Sequence, residues 1–359
     1  QDDGKILGLL ESLDLFGFLS NHSMLIDRRL RAATDLDALA RAAAQMNNMI
    51  RRQYRGGTRV ALLARLVQDL NGRLFEQAWQ LIAPPELVQN SCLLVMGSEG
   101  RGEQLLKTDQ DNALLLRDGY VPPDDLPAIC ARFSEALARF GYPPCPGNVM
   151  LSNATWRGTV QDFARRVRKW LVLPEADSLI NLAVFMDAHA VCGDAELLAS
   201  LRRQVFGMLA DDDAMMSRFA AVVDAFGDGT RWWRRMLGGG EANLNLKKAG
   251  MFPLVHGVRS MALAERIDAT STEARIRALQ EAGALDAETA QELTESLHFF
   301  MGLRLKAGLD EMDRGQPVSG KVDLAGLTPL ERDLLKDALA AVRRFRAQLR
   351  LRFRLGAVS

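Results

Sequence analysis

The chain has 359 residues, enough for about two or three domains at ordinary sizes, and its 48% hydrophobic content is that of a folded protein rather than a disordered one. Lysine plus arginine equals aspartate plus glutamate at 45 each, so the formal net charge is zero and nucleic acid is not expected as a partner. No apolar run approaches the roughly 20 residues needed to cross a bilayer, so no membrane is expected either.

The N-terminus, QDDGKILGLL, lacks the basic stretch and apolar core of a signal peptide. It opens on Gln rather than Met, and we expect a piece of a longer protein whose preceding part holds regulatory domains. The four cysteines (Cys92, Cys130, Cys145, Cys192) lie far apart without CxxC spacing. They suggest neither a zinc site nor a disulfide framework, and the expectation is idle thiols in a reducing cytoplasm.

Residues 1–83 read as helical. DLDALARAAAQMNNMIRRQY (35–54) and RVALLARLVQDLNGRLFEQAWQLI (59–82) repeat apolar residues at helical spacing, with a break at Gly56-Gly57 and a stop at Pro84-Pro85. From Ser91 the texture changes. CLLVM (92–96) and NALLL (112–116) are short apolar runs that fit buried strands, and EGRGEQLLK between them can form at most about two helical turns. LPAICARFSEALARF (126–140) is an amphipathic helix, and NVML within the Pro- and Gly-rich 141–153 is the expected third strand. After residue 160 the helical pattern returns, broken at Pro174, at GGG (238–240) and at GQPVSGK (315–321). Thr328, Pro329 and Glu331 then make a helix start.

The expected architecture is α+β and mainly α-helical. A helical region (1–83) precedes a small mixed-sheet core (84–200), and a helical domain (201–359) follows.

The chemistry concentrates in GSEGRGEQLLKTDQD (97–111). Asp109 and Asp111 sit at i and i+2, which on a strand turns both carboxylates to one face, roughly 7 Å apart at Cα. Such a pair suits hard cations, which phosphoryl-transfer enzymes hold about 3.5–4 Å apart. Gln110 would point the other way. Gly97-Ser98 ends one strand and opens a short helix, where exposed N–H groups favour phosphate. Ser98 adds a hydroxyl, and Arg101 and Lys107 add positive charge.

Two glycine-loop patterns are excluded. A phosphate-binding loop would need Lys-Ser/Thr after Gly102, but Glu103-Gln104 follow, and the dinucleotide fingerprint fails at Leu105.

LLVMGSEGRGEQLLKTDQDNALLL resembles the nucleotidyltransferase core of the DNA-polymerase-β type. More closely, it resembles nucleotidyltransferases that often carry upstream CBS or cyclic-nucleotide-binding domains, related to the bacterial uridylyltransferases of the PII signalling protein. CPGNVMLSNATWRG (145–158), LINLAVFMDAHAVCGDAELLASLR (179–202), LNLKKAGMFPLVHGVRSMAL (244–263) and TSTEARIRALQEAG (270–283) extend the likeness.

The resemblance implies a nucleoside triphosphate, two Mg²⁺ ions, transfer of a nucleotidyl group with loss of pyrophosphate, and a helical C-terminal region across the cleft. Gly97, Ser98 and Arg101 would take phosphates, and Asp109 and Asp111 the metals. The acceptor would be a hydroxyl of a protein, as in the signalling relatives, or of a small molecule.

Relatives commonly supply a third carboxylate. The NVMLSN segment has none, so Asp187 is the candidate, with Asp194 nearby. Where relatives tend to have Asp-x-Arg, this chain has Asp187-Ala188-His189. The alternative reading is therefore a nucleotide-sensing module that binds without transferring. A third reading is RNA-directed transfer, motivated by the six arginines of RRFRAQLRLRFR (343–354), which otherwise form a solvated face over inward Phe345, Leu349 and Phe353.

Lys247, Lys248 and Arg259 flank the AGMFPLVHG turn and either cap helix ends or face the cleft to hold phosphate or acceptor. The scattered histidines (His22, His189, His256, His298) and Trp170, Trp232 and Trp233 read as structural. A homo-oligomer stays open.

Overall fold

The computed structural model describes residues 23–172, 177–209, 213–224 and 243–355. Helical residues 23–31 lead into α1 (Leu36–Arg55), started by the Asp35 carboxylate accepting from the Ala38 N–H. Gly56 ends that helix, and Gly57 turns the chain at φ 81° into α2 (Val60–Ile82). Pro84 closes α2 and the short α3 (Pro85–Gln89) delivers the chain to the sheet.

The core then runs β1 (Ser91–Val95), α4 (Gly97–Gly100), β2 (Asn112–Leu116), α5 (Leu126–Arg139), β3 (Arg157–Thr159), α6 (Val160–Val172), α7 (Ser178–Phe185), β4 (His189–Gly193) and α8 (Ala195–Leu209). Its sheet has the order β3-β2-β1-β4. β1 is antiparallel to β2 and β4, and β2 is parallel to β3 through the α5 crossover. Every residue of β1 and β2 is buried, which explains why both strands read as continuous apolar runs. α2 packs along β4 and α5, joined by edge-on pairs of Trp79 with Phe133 and Phe75 with Tyr142.

Among the described residues the remainder is α9 (Asp213–Ala221), β5 (Asn243–Leu244), α10 (Phe252–Ala264), α11 (Thr272–Glu281), α12 (Ala287–Asp313), β6 (Val322–Asp323) and α13 (Pro329–Arg352). α10 is buried from Pro253 to Leu263 and forms the axis on which α11 and α13 pack. Thr328 and Glu331 form the expected reciprocal cap of α13.

The mainly helical α+β expectation holds, with three local corrections. NVML is not a strand: Val149 to Leu151 are pinned to the start of β2 by the Asn112 N–H donating to Val149 O and by Asn112 Oδ1 accepting from Leu151 N. The pairing strand is instead β3, which starts nine residues after Asn148. His189–Gly193, inside a stretch read as helical, is the edge strand β4, where pairing with β1 overrides local pattern. AGMFPLVHG is no turn but a π-helical segment (Lys247–Met251) running into α10.

Phe345, Leu349 and Phe353 face inward, as expected, while Arg346 and Arg350 pair with Asp224 and Arg344 with Glu292. Trp170 is a core residue beside Trp156. His256 is buried against Phe219 O, and His298 pairs with Glu273. His22, Trp232, Trp233, Pro174 and the GGG break lie outside the described residues. No described helix is long and apolar enough to cross a membrane.

Candidate active site

The β1–β2 ladder continues past the strands, with the Met96 N–H donating to Asp111 O at 2.9 Å. That bond sets Asp111 beside Gly97. Gly97 has φ 56°, and a Cβ there would lie 2.3 Å from Asp111 Oδ2, so only glycine leaves the carboxylate its position. Gln110 points the opposite way, as alternation requires, and donates to Ser134 O and Tyr142 O.

Asp111 is pushed up to about 6, first by burial, with the negative charge of Asp109 adding to it. The Cys145 thiol donates to the Asp111 carboxylate, and burial together with that carboxylate raises the thiol to about 12. Asp109 is more open. Lys247 Nζ, from the π-helical turn, stands 3.8 Å from Asp109 Oδ2, and Lys248 is exposed next to it. Asp109, Lys107 and Lys247 line one cleft of about 690 Å³, with α1 on one wall and the 316–320 loop on another. That size is within the usual range for a ligand pocket, about 300–1,000 Å³.

The remaining expected residues are placed elsewhere or otherwise engaged. Ser98 Oγ donates to Gln104 Oε1 at 2.8 Å. Lys107 donates to Ala43 O and Phe140 O, stands over the Tyr142 ring, and is drawn down to about 8 by burial. Arg101 reaches Glu103 and, at 2.6 Å, Asp187.

Asp187 is fully buried in the turn before β4 and accepts from three arginines. These are Arg101 of the core, Arg259 of α10 at 3.0 Å, and Arg275 of α11 at 2.7 Å. Their charges hold its carboxyl well below the usual carboxylate range despite burial. The carboxylate is thereby a tie between the sheet and the C-terminal helices. Asp194 starts α8 and pairs with Arg117 at 2.7 Å. Among the described residues no group of three His, Cys, Asp or Glu side chains is arranged to hold a metal.

The two carboxylates nonetheless fit Mg²⁺, which is commonly held by one or two carboxylates, waters and substrate phosphates. A buried acid raised by a neighbouring acid is the environment that a divalent cation relieves. The two residues that sequence reasoning missed are Cys145 and Arg304. Cys145 reaches Asp111 from a Pro-rich loop, and Arg304 lines the cleft from α12. No local pattern marks either, because each reaches the site only by folding.

Two family models match the chain. The model described as "Putative nucleotidyltransferase DUF294" matches residues 44–177, and that described as "Putative nucleotidyltransferase substrate binding domain" matches residues 213–353. The first match holds Gly97, Asp109 and Asp111, and the second holds Lys247, Arg259, Arg275 and Arg304. The chain has no match to a curated protein. These two domains support a general role in nucleotidyl transfer, and the chain belongs to this nucleotidyltransferase family.

Proposed function

We propose that the protein is an Mg²⁺-dependent nucleotidyltransferase that moves a nucleoside monophosphate group from a triphosphate to a hydroxyl of a protein or small molecule. The observation that carries this reading is the Asp109–Asp111 pair, with Asp111 seated over the bare backbone of Gly97 and Asp109 lining a ligand-sized cleft. Asp109 and Asp111 are the residues to hold the ions, which when bound would lower the acceptor hydroxyl's pKa and neutralise charge on the pyrophosphate.

The rest falls to the chain. Gly97 lets a phosphate approach the backbone, while the Ser98 hydroxyl is already given to Gln104. Lys247, close to Asp109, adds positive charge at the cleft. The reaction is in-line attack on the α-phosphorus. A bond forms between the acceptor oxygen and that phosphorus, the bond to the β-phosphate oxygen breaks, and the hydroxyl proton passes to solvent as pyrophosphate departs.

All four cysteines are free, which fits a reducing cytoplasm. The relation to signalling-protein uridylyltransferases favours a protein acceptor in a signalling role. The ion pairs made by the arginines of α13 lend no support to an RNA substrate.

A second reading, binding without transfer, is favoured by one observation: Asp187, the candidate third acid, is enclosed by arginines. Incubation of the full chain with each α-labelled nucleoside triphosphate and Mg²⁺ separates the two. Pyrophosphate release that disappears in the Asp109→Ala, Asp111→Ala double variant supports transfer. Binding without release supports the sensor, and no binding of any triphosphate defeats both.

A further inference from the structure

Four arginines are wholly or largely withdrawn from water around the site, and three of them share one anion. Arg101, Arg259 and Arg275 converge on Asp187. Arg304, on α12, makes no ion pair among the described residues. Its Nε is buried without a hydrogen-bond partner, and Nη1 reaches only the Met251 sulfur at 3.4 Å, a weak acceptor.

A guanidinium withdrawn from water without a counter-ion is costly, and folded chains rarely keep one without a use for it. Of the acids whose charge Arg304 feels, Glu103 already accepts from Arg101 and the Thr272 N–H, and Asp109 faces Lys247. Burial draws the Arg304 pKa below its ordinary value, which marks how incompletely those acids compensate it.

Its position is as informative as its isolation. Arg304 lines a small cavity of about 40 Å³ together with Ser98, Gln104 and Thr108. It also lines the larger cleft together with Asp109 and Lys247. It thus separates the glycine-serine end of β1 from the metal-binding carboxylates. Asn47 lines that cleft from α1, and its Oδ1 is likewise buried without a partner.

We propose that Arg304 is a phosphate-binding residue of the nucleotide site, its planar fork taking the oxygens of the two terminal phosphates that leave as pyrophosphate. The inference rests on the nucleotidyl-transfer reading and adds a specific residue to it. The C-terminal helical domain completes the triphosphate site through α12, and the substrate is recognised there by its phosphates rather than by its base.

The test uses the full chain, with Mg²⁺-pyrophosphate, the four Mg²⁺-nucleoside triphosphates and the four free nucleosides as probes. The variants are Arg304→Met and Arg304→Lys. Without ligand, Arg304→Met is expected to melt at or above the wild-type temperature, because an uncompensated buried cation has gone. Its affinity for pyrophosphate and triphosphates should fall roughly ten- to hundredfold, the effect of losing hydrogen bonds to a charged group. Arg304→Lys should retain part of that affinity, and nucleoside binding should be unchanged in both.

Equal loss of nucleoside and triphosphate binding would overturn the proposal. So would unchanged triphosphate affinity in both variants, or a lower ligand-free melting temperature in Arg304→Met with affinity retained by its folded fraction. If wild-type protein binds no phosphate probe at all, the nucleotidyl-transfer reading fails with it. If wild type binds and only the Asp109→Ala, Asp111→Ala double variant loses binding, Arg304 alone is refuted.

Discussion

Two acidic centres lie close together in this molecule and are built on opposite plans. Around Asp187, one carboxylate meets three guanidinium groups, two of them buried and the third nearly so, and hydrogen-bonds to all three. Around Asp109 and Asp111, two carboxylates meet one exposed lysine, and Arg304 stands nearby without an anion. The first centre is closed and holds the sheet to the C-terminal helices. The second is incompletely paired and borders open space. Charged groups that the chain leaves without hydrogen-bond partners mark where a ligand is expected, whereas a fully hydrogen-bonded cluster marks a structural tie.

The sharpest way to break this contrast is Asp187→Ala. It strands three buried arginines and should cost about 3–5 kcal/mol of stability, measured by denaturant unfolding. An Asp187→Ala protein that unfolds like wild type yet has lost nucleotide turnover would make Asp187 catalytic and undo the comparison.

The Asp109→Ala, Asp111→Ala double variant should behave in the opposite way. Turnover falls to background while thermal unfolding stays unchanged or improves, because two under-paired acids have been removed. A large loss of stability there would reassign the pair to structure.

Gly97→Ala tests the seat of Asp111. Left-handed backbone and displacement of the carboxylate together should cost roughly 1–3 kcal/mol and weaken Mg²⁺ binding. Calorimetric titration showing wild-type metal affinity would contradict the cradle.

The pH dependence is subtler. Asp111 is raised to about 6 from its ordinary value, so its neutral form favours folding. That contribution is present at low pH and is lost as pH rises through about 6, where a bound cation can offset it. Mg²⁺ affinity should accordingly fall about tenfold per unit as pH drops below that value. Glu99, raised to about 8 by burial, adds its own step to the stability curve. The step absent from Asp111→Asn is therefore the one to assign, and an identical metal-binding pH profile in that variant would exclude Asp111 as the titrating group.

The smallest effect belongs to the arginine row of α13. Arg344→Ala, which removes a largely exposed pair with Glu292, should change stability by no more than about 1 kcal/mol. Triphosphate or RNA affinity that depended on it would place substrate on that face instead.

Local sequence determined a good deal of this protein. The apolar runs at 92–96 and 112–116 fit central strands, because they are short and their apolar residues do not alternate, and β1 and β2 lie there. Asp35, Thr328 and Glu331 act within a single turn, so their caps are written where they occur. The i, i+2 spacing of Asp109 and Asp111 similarly carries its own geometry, including the opposite aim of Gln110.

Tertiary structure decided the remainder. β3 and β4 are short strands whose existence depends on a partner, and their own residues carry no decisive pattern. Arg101, Arg259 and Asp187 share a sequence neighbourhood with nothing, yet folding from three distant segments makes them one cluster. Whether an arginine binds phosphate or a buried aspartate is not a property of the arginine. Charge pairing is settled by which groups packing brings within a few ångströms, and that is why Arg101 found Asp187 while Arg304 was left facing the cleft.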